Sequence, residues 1–508
     1  MKTTLLLTVV FFLNSFNANT LQANMTATVK KDLKLSSIHD GLKDNDQDDV
    51  NLVAMERRIL GISSNYTGVD SSKSKIIDTV YCRLDSSQTY ALFLPSTYSD
   101  EKKYPAVFIF EPGARGSLPL KKFREGAEEL GYVLISSNNS RNGPFEKSFE
   151  AANAMFADAF EKYSLDTSRL YTAGFSGGSR TATAVAVLTG KMAGVIACGA
   201  GYANNPAYQP SANHNFHYCG LVGNKDMNFL EHIAVEKDLT KKGLTNTRLI
   251  FNLSHQWPPS SFLKKALYWM ELQAYKNNKM VSTSFSATNA LHIFKTYADS
   301  IQESGNYSLA AESYQNIIND FKNIVSLEEI ISERDQLIAS KEYRKHKQKL
   351  EKIYKKEASY HTEIIEALNA VFYSKIEANN AAGYSIDWWK SKIDYFKRIE
   401  EKKSVEKSNM AARLLNMIWA NCAEWSFESE ILKNYKTAIS FNEIWLYVQP
   451  SSLWANWNIA RLYSITDQTD KMLTHLKRNK SNNPNFSLSR VENEKAFCKH
   501  LDLILENL

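Results

Sequence analysis

The sequence of 508 residues has few of the features that identify a protein class at once. It contains no HExxH motif and no aspartate-rich cation loop, so we expect no metal site. The five cysteines are scattered, without a CxxC pair or regular spacing, which predicts neither a disulfide framework nor a zinc site. They are Cys82, Cys198, Cys219, Cys422 and Cys498.

Other absences narrow the function further. A glycine-rich dinucleotide fingerprint and a phosphate-binding loop are both missing, and we therefore expect chemistry without a cofactor. The 61 basic and 55 acidic residues are spread along the chain, so the net charge of +6 predicts no nucleic-acid partner.

The N-terminus carries the most apolar segment, residues 5–13, which is too short to span a bilayer. One lysine precedes it and small and polar residues follow, a pattern typical of a signal peptide over residues 1–23. A retained membrane anchor is the alternative. We expect a secreted or periplasmic protein with no membrane span after cleavage, in which residues 24–75 form a polar linker or arm.

The rest of the chain is too long for one hydrophobic core, and its predicted secondary structure changes once, after residue 278. Residues 76–278 begin with a predicted β-hairpin and then alternate continuous apolar strands with helices, which predicts an α/β domain with a mostly parallel sheet. Residues 279–508 are predicted to be all helical. There, Lys341 to Lys356 form either a basic binding surface or a solvated helix face.

Two stretches of the helical region resemble tetratricopeptide repeats. The first carries Gly305, Tyr307, Ala310, Tyr314 and Ile317 at the expected spacing. The second carries Tyr435, Ala438, Trp445 and Pro450, followed by Ile459, Ala460 and Tyr463. Such helix pairs bury their apolar faces by stacking, and a protein partner for these helices is a candidate function.

A G-x-S-x-G motif, residues 174–178, lies where a predicted strand meets a predicted helix. A serine turned sharply outward at a strand end crowds its neighbours, which explains the glycines on both sides. Ser176 is therefore the candidate nucleophile.

A nucleophilic serine needs a histidine base and an acid that orients the histidine. On this type of sheet both follow the serine, each at the end of a later strand. Asp226 comes 50 residues after Ser176 and His255 another 29 residues later, intervals that fit strand–helix units. Glu231 is the alternative acid, and the other histidines precede the acid or fall in predicted helices.

The reaction also needs donors for an oxyanion. The backbone amide of Gly177 is one candidate, and Gly113 or Ala114 in the loop EPGARG is the other. Arg115 in that loop either pairs with Glu111 or meets a substrate carboxylate. Arg141, Asn142 and Trp257 are further candidates for substrate contact, although an Asn- and Gly-rich turn does not require such a role.

The motifs GFSGGSR, GNKD and SHQWPP resemble those of the α/β-hydrolase superfamily, and more narrowly of secreted polyhydroxybutyrate depolymerases and feruloyl esterases. The resemblance covers about two-fifths of the chain. It implies ester hydrolysis through an acyl-enzyme, with an ester-containing small molecule or polymer as substrate. The loop EPGARG departs from the His-Gly that these esterases often have there.

The sequence thus predicts an exported serine hydrolase of carboxylic esters with an α/β-hydrolase fold. Two alternatives remain open. A serine peptidase uses the same residues on the same fold, and an inactive hydrolase-fold platform would act only through a partner of its helical repeats.

Overall fold

The computed structural model of the protein describes residues 74–373 and 384–508. The predicted signal peptide, and all of the predicted linker except Ser74 and Lys75, lie outside the described residues. The chain divides into two compact units, Met1–Lys349 and Leu350–Leu508.

The first unit is built on one sheet of eight strands. The strands are β1 (Ile76–Tyr81), β2 (Thr89–Phe93), β3 (Tyr104–Phe110), β4 (Val133–Ser137), β5 (Leu165–Phe175), β6 (Gly194–Cys198), β7 (His217–Gly223) and β8 (Asn246–Phe251). Their order in the sheet is β1-β2-β4-β3-β5-β6-β7-β8. Strand β2 pairs antiparallel with both β1 and β4, and the other neighbouring strands pair in parallel. This arrangement is the α/β-hydrolase fold, which confirms the predicted fold class and the predicted β1–β2 hairpin.

Five helices cover the two faces of the sheet. They are α1 (Ser117–Leu130), α2 (Phe145–Lys162), α3 (Gly177–Thr189), α4 (Phe229–Lys241) and α5 (Ser260–Lys276). Helices α1 and α5 bury their apolar sides in one core cluster, and α2, α3 and α4 do so in another. Because both faces are covered, the central strands read as continuous apolar runs, and every residue of β3 is buried.

Helices also follow the last strand within the first unit. They are α6 (Ala287–Glu303), α7 (Tyr307–Phe321), α8 (Glu328–Ala339) and the start of α9 (Lys341–Tyr373). The Tyr297 hydroxyl on α6 accepts the backbone amide of Ile250 at 2.8 Å and donates to its carbonyl at 3.0 Å, so α6 covers the edge strand β8. The compact unit therefore extends beyond the change from strands to helices after residue 278.

The described part of the second unit, residues 350–373 and 384–508, is helical. After the end of α9 it contains α10 (Ile386–Glu400), α11 (Val405–Ile431), α12 (Tyr435–Val448), α13 (Leu453–Ile465), α14 (Thr469–Asn482), α15 (Leu488–Glu492) and α16 (Leu501–Asn507). Ala438 of α12 and Ile459, Ala460 and Tyr463 of α13 are buried together in one cluster. The likeness to tetratricopeptide repeats stays a prediction.

Across residues 74–373 and 384–508, no helix has both the length and the apolar composition needed to cross a membrane.

Candidate active site

Ser176 lies at the joint between β5 and α3, in a strained backbone conformation. Its φ is 53° and its ψ is −121°, a region that residues with a side chain rarely adopt. Its amide donates to the carbonyl of Cys198 at the end of β6, at 2.8 Å, which fixes the turn to the neighbouring strand. The turn leaves the Ser176 side chain half-buried at the carboxyl edge of the sheet.

Two glycines make this turn sterically feasible. A Cβ added at Gly174 would lie 2.1 Å from the carbonyl oxygen of Gly178, and one at Gly178 would lie 2.0 Å from that of Phe110. Backbone atoms cannot yield to such contacts as a flexible side chain could. The motif glycines are therefore required by the close approach of β3, β5 and α3.

His255 and Asp226 reach Ser176 from the ends of two other strands. His255 follows β8, and its Nε2 lies 3.0 Å from the Ser176 Oγ. Its Nδ1 lies 3.0 and 2.9 Å from the two carboxylate oxygens of Asp226, which follows β7. The three side chains thus form an uninterrupted hydrogen-bonded chain from hydroxyl to imidazole to carboxylate.

The surroundings hold this chain in place. Asp226 is completely buried and also accepts the amide of Asn228 at 2.9 Å. The His255 side chain is 9% exposed, and its ring lies 4.7 Å from that of Phe175. An imidazole oriented through Nδ1 can accept the serine proton at Nε2, and a buried carboxylate stabilises the resulting imidazolium.

Glu231, the alternative acid, is engaged elsewhere. It pairs with Arg180 at 2.7 Å and accepts the amide of Gly201 at 3.1 Å. Burial is the largest single cause and raises the pKa of Glu231, but the Arg180 guanidinium and the Gly201 amide contribute to a net pKa below the usual range. Glu231 and Arg180 therefore form a structural ion pair.

The candidate oxyanion donors differ in availability. Gly177 is the first residue of α3, and the first amides of a helix have no partner within it. In the loop after β3, the amide of Gly113 donates to the Glu111 carboxylate at 2.7 Å, and that of Ala114 donates to the Glu111 carbonyl at 3.1 Å. Both loop amides thus already have an acceptor, and their role as oxyanion donors stays a prediction.

Glu111 organises this loop from a fully buried position. Besides Gly113, its carboxylate accepts the amide of Arg115 at 3.0 Å and pairs with the Arg115 guanidinium at 2.5 Å. This hydrogen bond is the main cause that raises the pKa of Arg115. The sequence indicated the ion pair but not the two amide contacts; the available signal was an acidic residue directly after a buried strand.

The remaining candidates lie in different environments. Arg141 and Asn142 are exposed, and an antiparallel bridge joins Arg141 to Gly113. Trp257 is only 5% exposed, and its ring packs 5.5 Å from that of Phe175. Its side chain packs into the core against Phe175, whose ring contacts that of His255. A contact between Trp257 and substrate stays a prediction.

Within the described ranges, no three His, Cys, Asp or Glu side chains lie close enough together to hold a metal ion.

Solved structures with a similar fold include several hydrolases. An S-formylglutathione hydrolase (FrmB) from Staphylococcus aureus is 12% identical, with 40% of this chain and 99% of that chain covered and a TM-score of 0.33. A ferulic acid esterase is 19% identical, with coverage of 39% and 97% and a TM-score of 0.31. Est1E from Butyrivibrio proteoclasticus is 12% identical, with coverage of 40% and 100% and a TM-score of 0.32. No protein-family model and no curated protein matches the chain.

Proposed function

We propose that the protein is a serine hydrolase that cleaves carboxylic ester bonds through an acyl-enzyme. The observation that supports this most is the hydrogen-bonded chain of Ser176, His255 and Asp226, with 3.0 Å between Ser176 Oγ and His255 Nε2. Hydroxyl, imidazole and carboxylate in this order are the components of a serine nucleophile with its general base.

In the proposed reaction, His255 Nε2 takes the proton of Ser176 as Oγ attacks the ester carbonyl. The carbonyl oxygen becomes an oxyanion, which the amide of Gly177 stabilises from the start of α3. Collapse of this intermediate expels the alcohol, which receives the proton from His255. A water molecule, activated by the same histidine, then releases the acid and restores Ser176.

Replacing Ser176 with Ala tests the proposal. We expect Ser176→Ala to abolish turnover of a small chromogenic ester, with unchanged far-ultraviolet circular dichroism and thermal unfolding. The intact protein should bind a fluorophosphonate covalently and the variant should not. Turnover by Ser176→Ala at the rate of the unmodified protein would overturn the assignment, and an unreactive intact protein would favour the inactive platform.

A substrate panel then addresses the choice of bond. Esters of aryl, feruloyl and acetyl-sugar type, a polyester and a peptide would be compared by kcat/KM. Peptide cleavage with no ester turnover would replace the ester proposal with a serine peptidase.

Export and a protein partner of the helical repeats complete the proposal, resting on residues 1–23 and on the repeat-like spacing respectively. N-terminal sequencing of protein recovered outside the cytoplasm tests the first. A cytoplasmic chain that starts at Met1 would contradict it.

A further inference from the structure

In the loop after β3, the predicted oxyanion donors and their neighbours already donate hydrogen bonds. All four amides of residues 113–116 have acceptors in this structure. Those of residues 113–115 donate to Glu111, and that of Gly116 donates to Oδ1 of Asn138 at 3.1 Å. An oxyanion stabilised by Gly177 alone would have a single donor. A second donor from this loop would first have to break one of these bonds.

Asn142 places a side-chain amide beside Gly177. The backbone amide of Asn142 donates to the Pro112 carbonyl at 2.9 Å, next to the bridge between Gly113 and Arg141. Its carboxamide lies directly over Gly177, where an added Cβ would be 2.0 Å from Oδ1 and 3.6 Å from Nδ2. Asn142 thus connects the loop after β3 with the first turn of α3.

The carboxamide of Asn142 has no hydrogen-bond partner among residues 74–373 and 384–508, and the residue is exposed. A half-turn about the Cβ–Cγ bond exchanges Oδ1 and Nδ2, which brings an N–H donor to the position beside Gly177 that Oδ1 occupies. No other bond has to break for this rotation.

We propose that Asn142 is a catalytic residue whose Nδ2–H donates to the oxyanion together with the Gly177 amide. The inference rests on the proposed serine mechanism and replaces the predicted donors Gly113 and Ala114. A side-chain donor of this kind interacts more strongly with the transition state than with the substrate, because negative charge develops on the carbonyl oxygen only during attack. Its removal is expected to lower kcat and leave KM almost unchanged.

The test uses Asn142→Ala and Asn142→Asp, with Lys147→Ala as an exposed control in the first turns of α2. We expect a decrease in kcat on the order of 10²-fold for Asn142→Ala. The isosteric Asp removes the donor and adds a negative charge beside the oxyanion, so its loss should be larger. Lys147→Ala should retain the kcat of the unmodified protein.

An aryl boronic acid distinguishes oxyanion binding from support of the loop. Its adduct with Ser176 is tetrahedral, so its inhibition constant should rise in Asn142→Ala by the factor by which kcat/KM falls, at an unchanged midpoint of thermal unfolding. Full kcat in Asn142→Ala, or an unchanged inhibition constant, overturns the role of Asn142. If Ser176→Ala also remains active, the serine mechanism itself has failed; if only Asn142→Ala does, the failure concerns this donor.

Discussion

Ser176 lies in a backbone turn, and this turn and the loop after β3 are held in place by different means. The turn at residues 174–178 is fixed by steric contact, because Gly174 and Gly178 approach other backbone atoms where no Cβ would fit. The loop at residues 111–116 is fixed by hydrogen bonds, with the Glu111 carboxylate accepting from two amides and a guanidinium. The turn depends on glycines, which have no Cβ, and the loop depends on a single buried carboxylate.

The difference explains why only the turn, and not the loop, can be recognised from a sequence motif. A steric requirement admits only glycine, so the turn appears as a recognisable motif. A hydrogen-bonded loop can be built from many different side chains, so the stretch EPGARG has no comparable signature. The conformation of such a loop is therefore seen in the structure but cannot be predicted from the sequence.

The largest effect is expected from filling the space beside the turn. In Gly174→Ala or Gly178→Ala, the new Cβ would meet a carbonyl oxygen at 2.1 or 2.0 Å, and the backbone around Ser176 must shift. A displacement of about 1 Å can lower the rate about 10²-fold or more. We expect at least this loss in kcat/KM, together with a lower midpoint of thermal unfolding.

Gly190→Ala is the matched control, at the opposite end of α3. Gly190 has a φ of 58° but nothing within 4 Å of an added Cβ, so the substitution strains the backbone without a clash. This strain costs roughly 1 kcal/mol of stability and should leave kcat/KM unchanged. Equal losses of activity in Gly190→Ala and Gly178→Ala would contradict the steric account.

Prediction from sequence succeeded where a repeated physical constraint operates. The strands and their helices follow from apolar runs, and the order of Ser176, Asp226 and His255 follows from where strands end. It did not reveal that the Trp257 side chain is buried against Phe175, because the direction of a side chain in a loop follows no periodic pattern. It also did not reveal the full extent of the first unit, since periodicity shows that α6 has an apolar face but not that Tyr297 covers β8.

A smaller effect is expected from removing the carboxylate that shapes the loop. Glu111→Ala leaves the amides of Gly113 and Arg115 without their acceptor, which costs about 2 kcal/mol of stability and displaces the loop. Glu111→Gln keeps one oxygen for these amides and should lose less of both stability and activity. Thermal unfolding and kcat/KM of the two variants provide the measurement.

Identical behaviour of Glu111→Ala and Glu111→Gln would contradict this grading, because it would mean that only the negative charge of Glu111 matters. Unchanged activity in both would show that the loop after β3 does not position the reaction. The comparison between a sterically fixed turn and a loop fixed by hydrogen bonds would then have no catalytic meaning.

The smallest effect is expected from Arg115, and it separates the two roles that the sequence left open. Its side chain is 63% exposed and donates to Glu111 through Nε and Nη2, so the positive charge is already matched. In Arg115→Ala the buried Glu111 carboxylate keeps its two amide donors, so the loop should hold its conformation and kcat/KM should fall less than in Glu111→Ala. The same decrease is expected for a neutral ester and for an ester that carries a carboxylate. A selective rise in KM for the anionic ester would instead assign Arg115 to substrate binding, and its contact with Glu111 would then serve to aim the guanidinium at the substrate.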